Sequence, residues 1–133
     1  GVDDAGVGRG FATLVLNDDG WLDLVKRDLE GPDTIHQSMC GDEGWLRIRL
    51  HQAAPNTFAV GARVEVRVGD DTQQRTVVAG GTSYGYGGPP EVHFGLGKTD
   101  VVDALVVYWP QGTRTDFTDL EARQSLDIHL PET

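Results

Sequence analysis

The feature that most constrains the fold of this chain is a strict alternation of apolar and polar side chains in its middle. In residues 45–51, leucine and isoleucine alternate with arginine and histidine, and residues 60–68 repeat the pattern with valine against arginine and glutamate. A period of two over this length predicts half-buried strands, because successive strand side chains point to opposite faces of a sheet.

The rest of the chain is also typical of strands joined by turns. Further strands are predicted at 9–15, 24–25, 74–78, 91–96, 104–109, 114–117 and 126–130. The segment 104–109 is apolar on both faces, so it is expected to lie centrally in a sheet. Thr118 and Glu121 match a capping box, which predicts at most a short helix over 118–124. The predicted class is all-β, an antiparallel sandwich or a barrel-like domain with an N-terminal hairpin.

The charge of the chain argues against some classes of partner, and its cysteine content argues against some kinds of site. The chain has 11 basic and 21 acidic residues, a net charge of −10, which argues against nucleic acid or an anionic membrane surface as a partner. No apolar run approaches the ~20 residues of a membrane-spanning helix. The single cysteine, Cys40, excludes an internal disulfide and a cysteine-rich zinc site.

Residues 1–44 differ from the rest and are predicted to form a separate element. A strand, an Asp-rich loop and a second strand read as a hairpin, which cannot bury a core of its own. We therefore divide the chain into a partial repeat at 1–44 and a β domain at 45–133. Because the chain begins at Gly1 without a methionine or a leader, we expect it to be a piece of a longer protein.

The loop at 17–23 has two interpretations. Oxygens from the side chains of Asn17, Asp19 and Asp23 and from the carbonyl of Trp21 could together bind calcium, which takes six to eight oxygen ligands. A further acid two positions before Asn17 would strengthen such a site, but Val15 stands there. The alternative is an Asx-rich turn that binds no metal.

A glycine-rich loop at 80–88 carries the second candidate site. Ser83 lies in a G-x-S-x-G pattern, but the glycines and prolines that follow forbid the helix which a serine hydrolase needs. We predict no catalytic residue here. Instead we predict a contact surface for a partner, formed by Ser83, Tyr84 and Tyr86. Trp45 is a further aromatic residue that could belong to this surface. Packing of the tyrosines within the loop is the alternative.

Several of these stretches together resemble the ASPIC/UnbV domain of cartilage-acidic-protein-like secreted proteins and their bacterial relatives. The resemblance covers residues 45–130 and rests on the motifs Trp-Leu-Arg-Ile-Arg-Leu at 45–50, His-Phe-Gly-Leu-Gly at 93–97 and Trp-Pro-Gln-Gly at 109–112. It also includes Val-Gly-Ala-Arg-Val-Glu-Val at 60–66 and Gly-Gly-Thr-Ser-Tyr at 80–84. Residues 7–25 resemble an FG-GAP repeat of the integrin-propeller type.

The resemblance implies a secreted or periplasmic, non-catalytic module for interaction or adhesion. Its partner would be a protein or a glycan, or the missing propeller repeats of the parent protein. FG-GAP repeats bind calcium, and the departures at Val15 and Asn17 imply that binding here is weak or lost. Two alternatives stay open: a small-molecule-binding or enzymatic component of a bacterial biosynthetic system, and a structural cap on a propeller.

Overall fold

The computed structural model describes residues 6–39, 41–81 and 87–132. In these residues the protein is all-β, with 55% strand, no helix, and three mostly antiparallel sheets that do not close into a barrel. The predicted fold class is confirmed. The described residues contain no helix that is long and apolar enough to span a membrane.

The chain forms two compact units. The first consists of Gly1–Gly41 and Ala79–Pro89, and the second of Asp42–Val78 and Pro90–Thr133. The first unit thus combines the N-terminal segment with the segment 79–89, which includes the glycine-rich loop. The division into domains at residue 44, made from sequence, stays a prediction.

The first unit holds a small antiparallel sheet. Its strands are β1 (Gly8–Leu14), β2 (Asp23–Asp28) and β3 (Thr34–His36), in the order β1-β2-β3. The predicted hairpin corresponds to β1 and β2, which pair antiparallel with Leu14 opposite Asp23. The third strand adds a partner on the other side of β2, so the element is a sheet rather than a hairpin.

The second unit is built from seven strands in two sheets. They are β4 (Gly44–His51), β5 (Arg63–Val68), β6 (Asp71–Thr76), β7 (Glu91–Gly97), β8 (Val101–Tyr108), β9 (Arg114–Glu121) and β10 (Gln124–His129). One sheet has the order β10-β4-β7 and the other β6-β5-β8-β9. All pairs are antiparallel except β10 with β4, which is parallel.

The alternating side chains of these strands form one hydrophobic core. On β4 the inward residues Leu46, Ile48 and Leu50 are completely buried, while the residues between them point outward. The remaining core comes from strands of both sheets and from the segments beside them: Ala59, Ala62, Val64, Val66, Val77, Val92, Phe94, Leu96, Val102, Leu105, Val107, Trp109 and Ile128. Burial of such side chains contributes about 1.5–3 kcal/mol each, so this core supplies the main stabilisation of the unit.

Strand β8 lies between β5 and β9, which confirms the central position predicted for residues 104–109. A tight turn follows β8, in which the Gly112 amide donates to the Trp109 carbonyl at 2.9 Å. Trp109 is buried, and its indole nitrogen donates to the Thr115 hydroxyl at 2.9 Å. A buried indole needs such a partner.

The short helix predicted over 118–124 is wrong. Residues up to Glu121 belong to β9, where Leu120 pairs with Val102 and Glu121 with Val101. Leu120 packs against the core, so pairing with β8 outweighs the local helix signal. Asp119 and Arg123 have φ values of 54° and 60°, which interrupt any helix.

We predict that Gly44→Ala strongly destabilises the second unit. A Cβ at this buried position would lie 2.2 Å from the backbone oxygen of Thr99 and 3.2 Å from the Ala122 side chain. Because backbone must move to relieve the clash, we expect a loss of about 1–3 kcal/mol in the free energy of unfolding, measured by urea denaturation. Gly95→Ala is the matched control, since a Cβ there meets nothing within 4 Å. Equal stability of the two variants would contradict the prediction.

Candidate functional site

The predicted calcium loop connects β1 to β2 in the first unit. Its polar side chains bond to the loop itself: the Asn17 amide donates to Asp19 at 2.7 Å, and the Trp21 backbone N–H donates to Asp19 at 2.8 Å. The Asp19 backbone N–H in turn donates to the Asn17 side-chain oxygen. Side-chain oxygens that accept from backbone two residues on define Asx-turns.

Asp23 has a different role from the other loop residues. It is completely buried at the start of β2, and both its carboxylate oxygens accept backbone hydrogen bonds. Leu16 donates to Oδ2 and Ser38 donates to Oδ1, each at 2.9 Å. Asp23 therefore ties the end of the loop to the segment after β3, a role that the sequence analysis missed because it considered this carboxylate only as a ligand.

The hydrogen bonds of this loop bear on its interpretation as a calcium site. Calcium needs six to eight oxygens that converge on one point. In the part of the chain that the structure describes, no three His, Cys, Asp or Glu side chains are grouped so that they could hold a metal ion. Asp19 and Asp23 are also engaged with backbone N–H groups. The observed hydrogen bonds are those of an Asx-rich turn, and calcium binding at this loop stays a prediction.

Of the predicted contact residues, Ser83, Tyr84 and Tyr86 lie outside the described residues. At the base of their loop, Gly80 and Gly88 form an antiparallel bridge. Trp45 is half-buried on β4, and its ring stacks on that of His93 with 6.2 Å between centroids and 12° between planes. The contact surface stays a prediction.

The structure brings together a polar cluster that the sequence analysis did not identify. On the outer face of the β10-β4-β7 sheet, His51 lies opposite His129, and the two imidazoles stack with centroids 4.8 Å apart. His51 Nε2 lies 2.7 Å from a carboxylate oxygen of Asp127, and the ring of Phe58 lies 6.5 Å away. His129 is exposed at the end of β10.

Ion pairs extend this cluster across the sheet. Arg49 Nε donates to Glu91 at 3.0 Å, and its Nη1 lies 3.8 Å from Asp127 on the other side. The hydrogen bond from His51, with the positive charge of Arg49, lowers the pKa of Asp127 below its usual value. The carboxylate therefore stays ionised at neutral pH, and an ionised carboxylate can orient an imidazole. In the described residues, the hydrogen-bond partner found for these two histidines is Asp127, which pairs with His51.

The first unit contains a small cavity of ≈ 200 Å³. It is lined by Gly10, Phe11, Ala12, Val25, Arg27, Asp33 and Gly87. Its charged groups are an exposed pair, with Arg27 Nη1 3.8 Å from Asp33. Ligand pockets are usually about 300–1,000 Å³, so this cavity is small for a substrate.

We predict that Asp23→Ala loosens the first unit. The change leaves the part-buried amides of Leu16 and Ser38 without their acceptor, at a cost of up to about 1–3 kcal/mol each. Amide hydrogen exchange at these two positions should become at least about tenfold faster, as 1.4 kcal/mol corresponds to a factor of ten. Asp33→Ala, which removes an exposed carboxylate, is the control. Unchanged exchange in Asp23→Ala would show that the two bonds are dispensable.

We also predict a pH-dependent effect of Asp127→Asn. Since the pKa of Asp127 is lowered on folding, its contribution to stability is present above the unfolded value of 3.8 and is lost as the pH falls below it. At pH 7 the variant should lose up to about 1 kcal/mol, as for other exposed pairs, and the difference should vanish near pH 2. Asp70→Asn, at an exposed turn, should show no such trend in urea denaturation. A difference that persists at low pH would contradict the prediction.

Comparison with known proteins places the second unit in a family. The model of one protein family, described as ASPIC and UnbV, matches residues 52–133, more than half of the chain. No curated protein matches the sequence. The match confirms the predicted ASPIC/UnbV domain, whereas the FG-GAP repeat and the relation to cartilage-acidic-protein-like proteins stay predictions. The chain thus belongs to the ASPIC and UnbV family.

Proposed function

We propose that this chain is a non-catalytic interaction module of an extracellular protein, and that the first unit carries its contact surface. One observation supports this most: of the ten large apolar side chains exposed in the described residues, seven lie between residues 6 and 39. They are Val7, Phe11, Leu16, Leu22, Leu29, Ile35 and Met39. Exposed apolar side chains concentrated in this way mark interaction sites.

The register of the small sheet indicates what kind of partner would fit. Phe11 lies opposite Lys26, while Ile35 lies opposite Val25, so the two large side chains point to opposite faces. Phe11 is 58% exposed and Ile35 is 61% exposed. A sheet that exposes apolar side chains on both faces suits a middle layer between other sheets. The proposed partner is therefore another β-sheet, of the kind found in the FG-GAP repeats that residues 7–25 resemble.

The other functions considered have less support. An enzyme or small-molecule binder needs a pocket with converging polar groups, and the ≈ 200 Å³ cavity has one exposed ion pair at its lining. A structural cap uses the same surface as the proposed module and differs only in its partner, which would be a propeller in the same polypeptide. The extracellular location is supported by the resemblance to secreted proteins alone.

Site-specific photo-crosslinking tests the proposed surface. We would place p-benzoylphenylalanine at position 11 or 35 of the full-length protein in its source cells. We expect crosslinks to a β-sheet segment from both positions. The control is position 101, an exposed valine of the second unit. Crosslinks to another protein support adhesion, crosslinks within the polypeptide support the cap, and equal yields at all three positions would refute a contact surface in the first unit.

Thermal unfolding tests whether calcium supports the module. We expect the same midpoint in excess EDTA and in millimolar calcium, because Asp19 and Asp23 are engaged with backbone N–H groups. Binding to the native state alone would raise the midpoint by mass action. A rise that Asp19→Ala abolishes would instead establish the loop as a calcium site.

A further inference from the structure

A row of three side chains crosses the outer face of the β6-β5-β8-β9 sheet. Arg63 of β5 lies opposite Tyr108 of β8, which lies opposite Arg114 of β9. Their neighbours Val64 and Val107 are completely buried, so the row itself faces outward. The guanidinium carbon of Arg63 lies 4.1 Å from the centroid of the Tyr108 ring, and that of Arg114 lies 5.7 Å from it.

Other arginines of this face are neutralised by carboxylates. Arg114 donates from Nε to both oxygens of Asp116 at 3.0 Å, and from Nη2 at 2.5 Å. Arg67 donates from Nη2 to Glu65 at 3.3 Å. These pairs use the planar edges of their guanidinium groups, where all the N–H donors point. The Nε–Nη2 edge of Arg114 is therefore occupied by Asp116, and the charge of Arg67 is balanced by Glu65.

Arg63 is different. Within the described residues its guanidinium makes no hydrogen bond or ion pair with another side chain, and its contact is the Tyr108 ring. A guanidinium stacks through its face and donates through its edge, so the tyrosine orients Arg63 while the N–H edge remains available. Because the group is already held in one orientation, binding an anion costs less side-chain entropy.

We propose that Arg63 and Tyr108 form a binding site for a carboxylate monoanion. The planar edge of a guanidinium matches a carboxylate with two parallel hydrogen bonds. The Thr76 residue lies opposite Arg63 on β6 and is exposed, which places a hydroxyl donor next to the bound group. One uncompensated positive charge on a chain of net charge −10 suits a monoanion better than a dianion. The site belongs to the second unit and does not depend on the contact surface proposed above.

NMR titration of the arginine Nε–Hε signals with sodium acetate tests this site. Sodium chloride would keep the ionic strength constant throughout. We expect the Arg63 signal to shift and saturate at acetate concentrations on the order of millimolar. The Arg67 signal serves as the internal control and should not saturate. Arg63→Gln removes this signal, so binding to that variant is followed through the backbone amide of Thr76, opposite position 63, which should show no saturable shift. Arg67→Gln, on the same strand and face, should leave the Arg63 shift unchanged.

Further variants examine the roles of the Tyr108 ring and of the planar guanidinium group of Arg63. Tyr108→Phe should bind acetate as the parent does, and Tyr108→Leu should bind about two- to fivefold more weakly, the factor expected for a lost cation–π contact. If Tyr108→Leu does not fold, Arg63→Lys keeps the charge but removes the planar guanidinium, and the shift of the Thr76 amide should then no longer saturate. Equal linear shifts of Arg63 and Arg67, or tighter binding of phosphate or sulfate than acetate, would overturn the proposal.

Discussion

The second unit depends on the position of β4, the middle strand of its three-stranded sheet. This strand pairs with β7 on one side and with β10 on the other, and its inward side chains are completely buried. A slip of one residue in its register would exchange Leu46 and Ile48 for Arg47 and Arg49 at the core. Because a buried unpaired charge costs several kcal/mol, the alternation in β4 selects one register for both neighbouring strands.

The same alternation creates the polar faces on which the candidate sites lie. Once the apolar residues of paired strands point inward, the charged residues between them must line up in rows on the outside. Arg49 meets Glu91 from one neighbour and Asp127 from the other in this way. Arg63 and Tyr108 meet across two strands for the same reason. These sites are therefore consequences of sheet register rather than of closeness in sequence.

The first unit differs from the second in how it treats its large apolar side chains. Its sheet leaves large apolar side chains such as Phe11 and Ile35 exposed, whereas the second unit buries most of its own in one core. Polar contacts hold its segments together as well, among them the two backbone bonds to Asp23. A unit of this composition gains stability when further surface covers it, which agrees with the interaction role proposed for the chain.

Much of the fold could be predicted from sequence, because a period of two is a local signal. Residues 45–51 show the pattern unambiguously, and the aromatic and apolar residues at 104–109 predict a central strand. The capping box at Thr118 is also a local signal, but the helix that it predicts does not form. Leu120 packs against the core from strand β9 instead. The structural role of Asp23 could not be predicted in this way. Its carboxylate accepts from Leu16 and Ser38, which lie in separate segments that no sequence motif connects.

The sequence by itself determined the all-β class, most strand positions and the membership of residues 52–133 in the ASPIC and UnbV family. Only the tertiary structure decided which strands are neighbours. The parallel pairing of β10 with β4 places Asp127 beside His51, although 75 residues separate them in the chain. No local pattern encodes such a contact, because pairing between distant strands is settled by the common core that all of them bury.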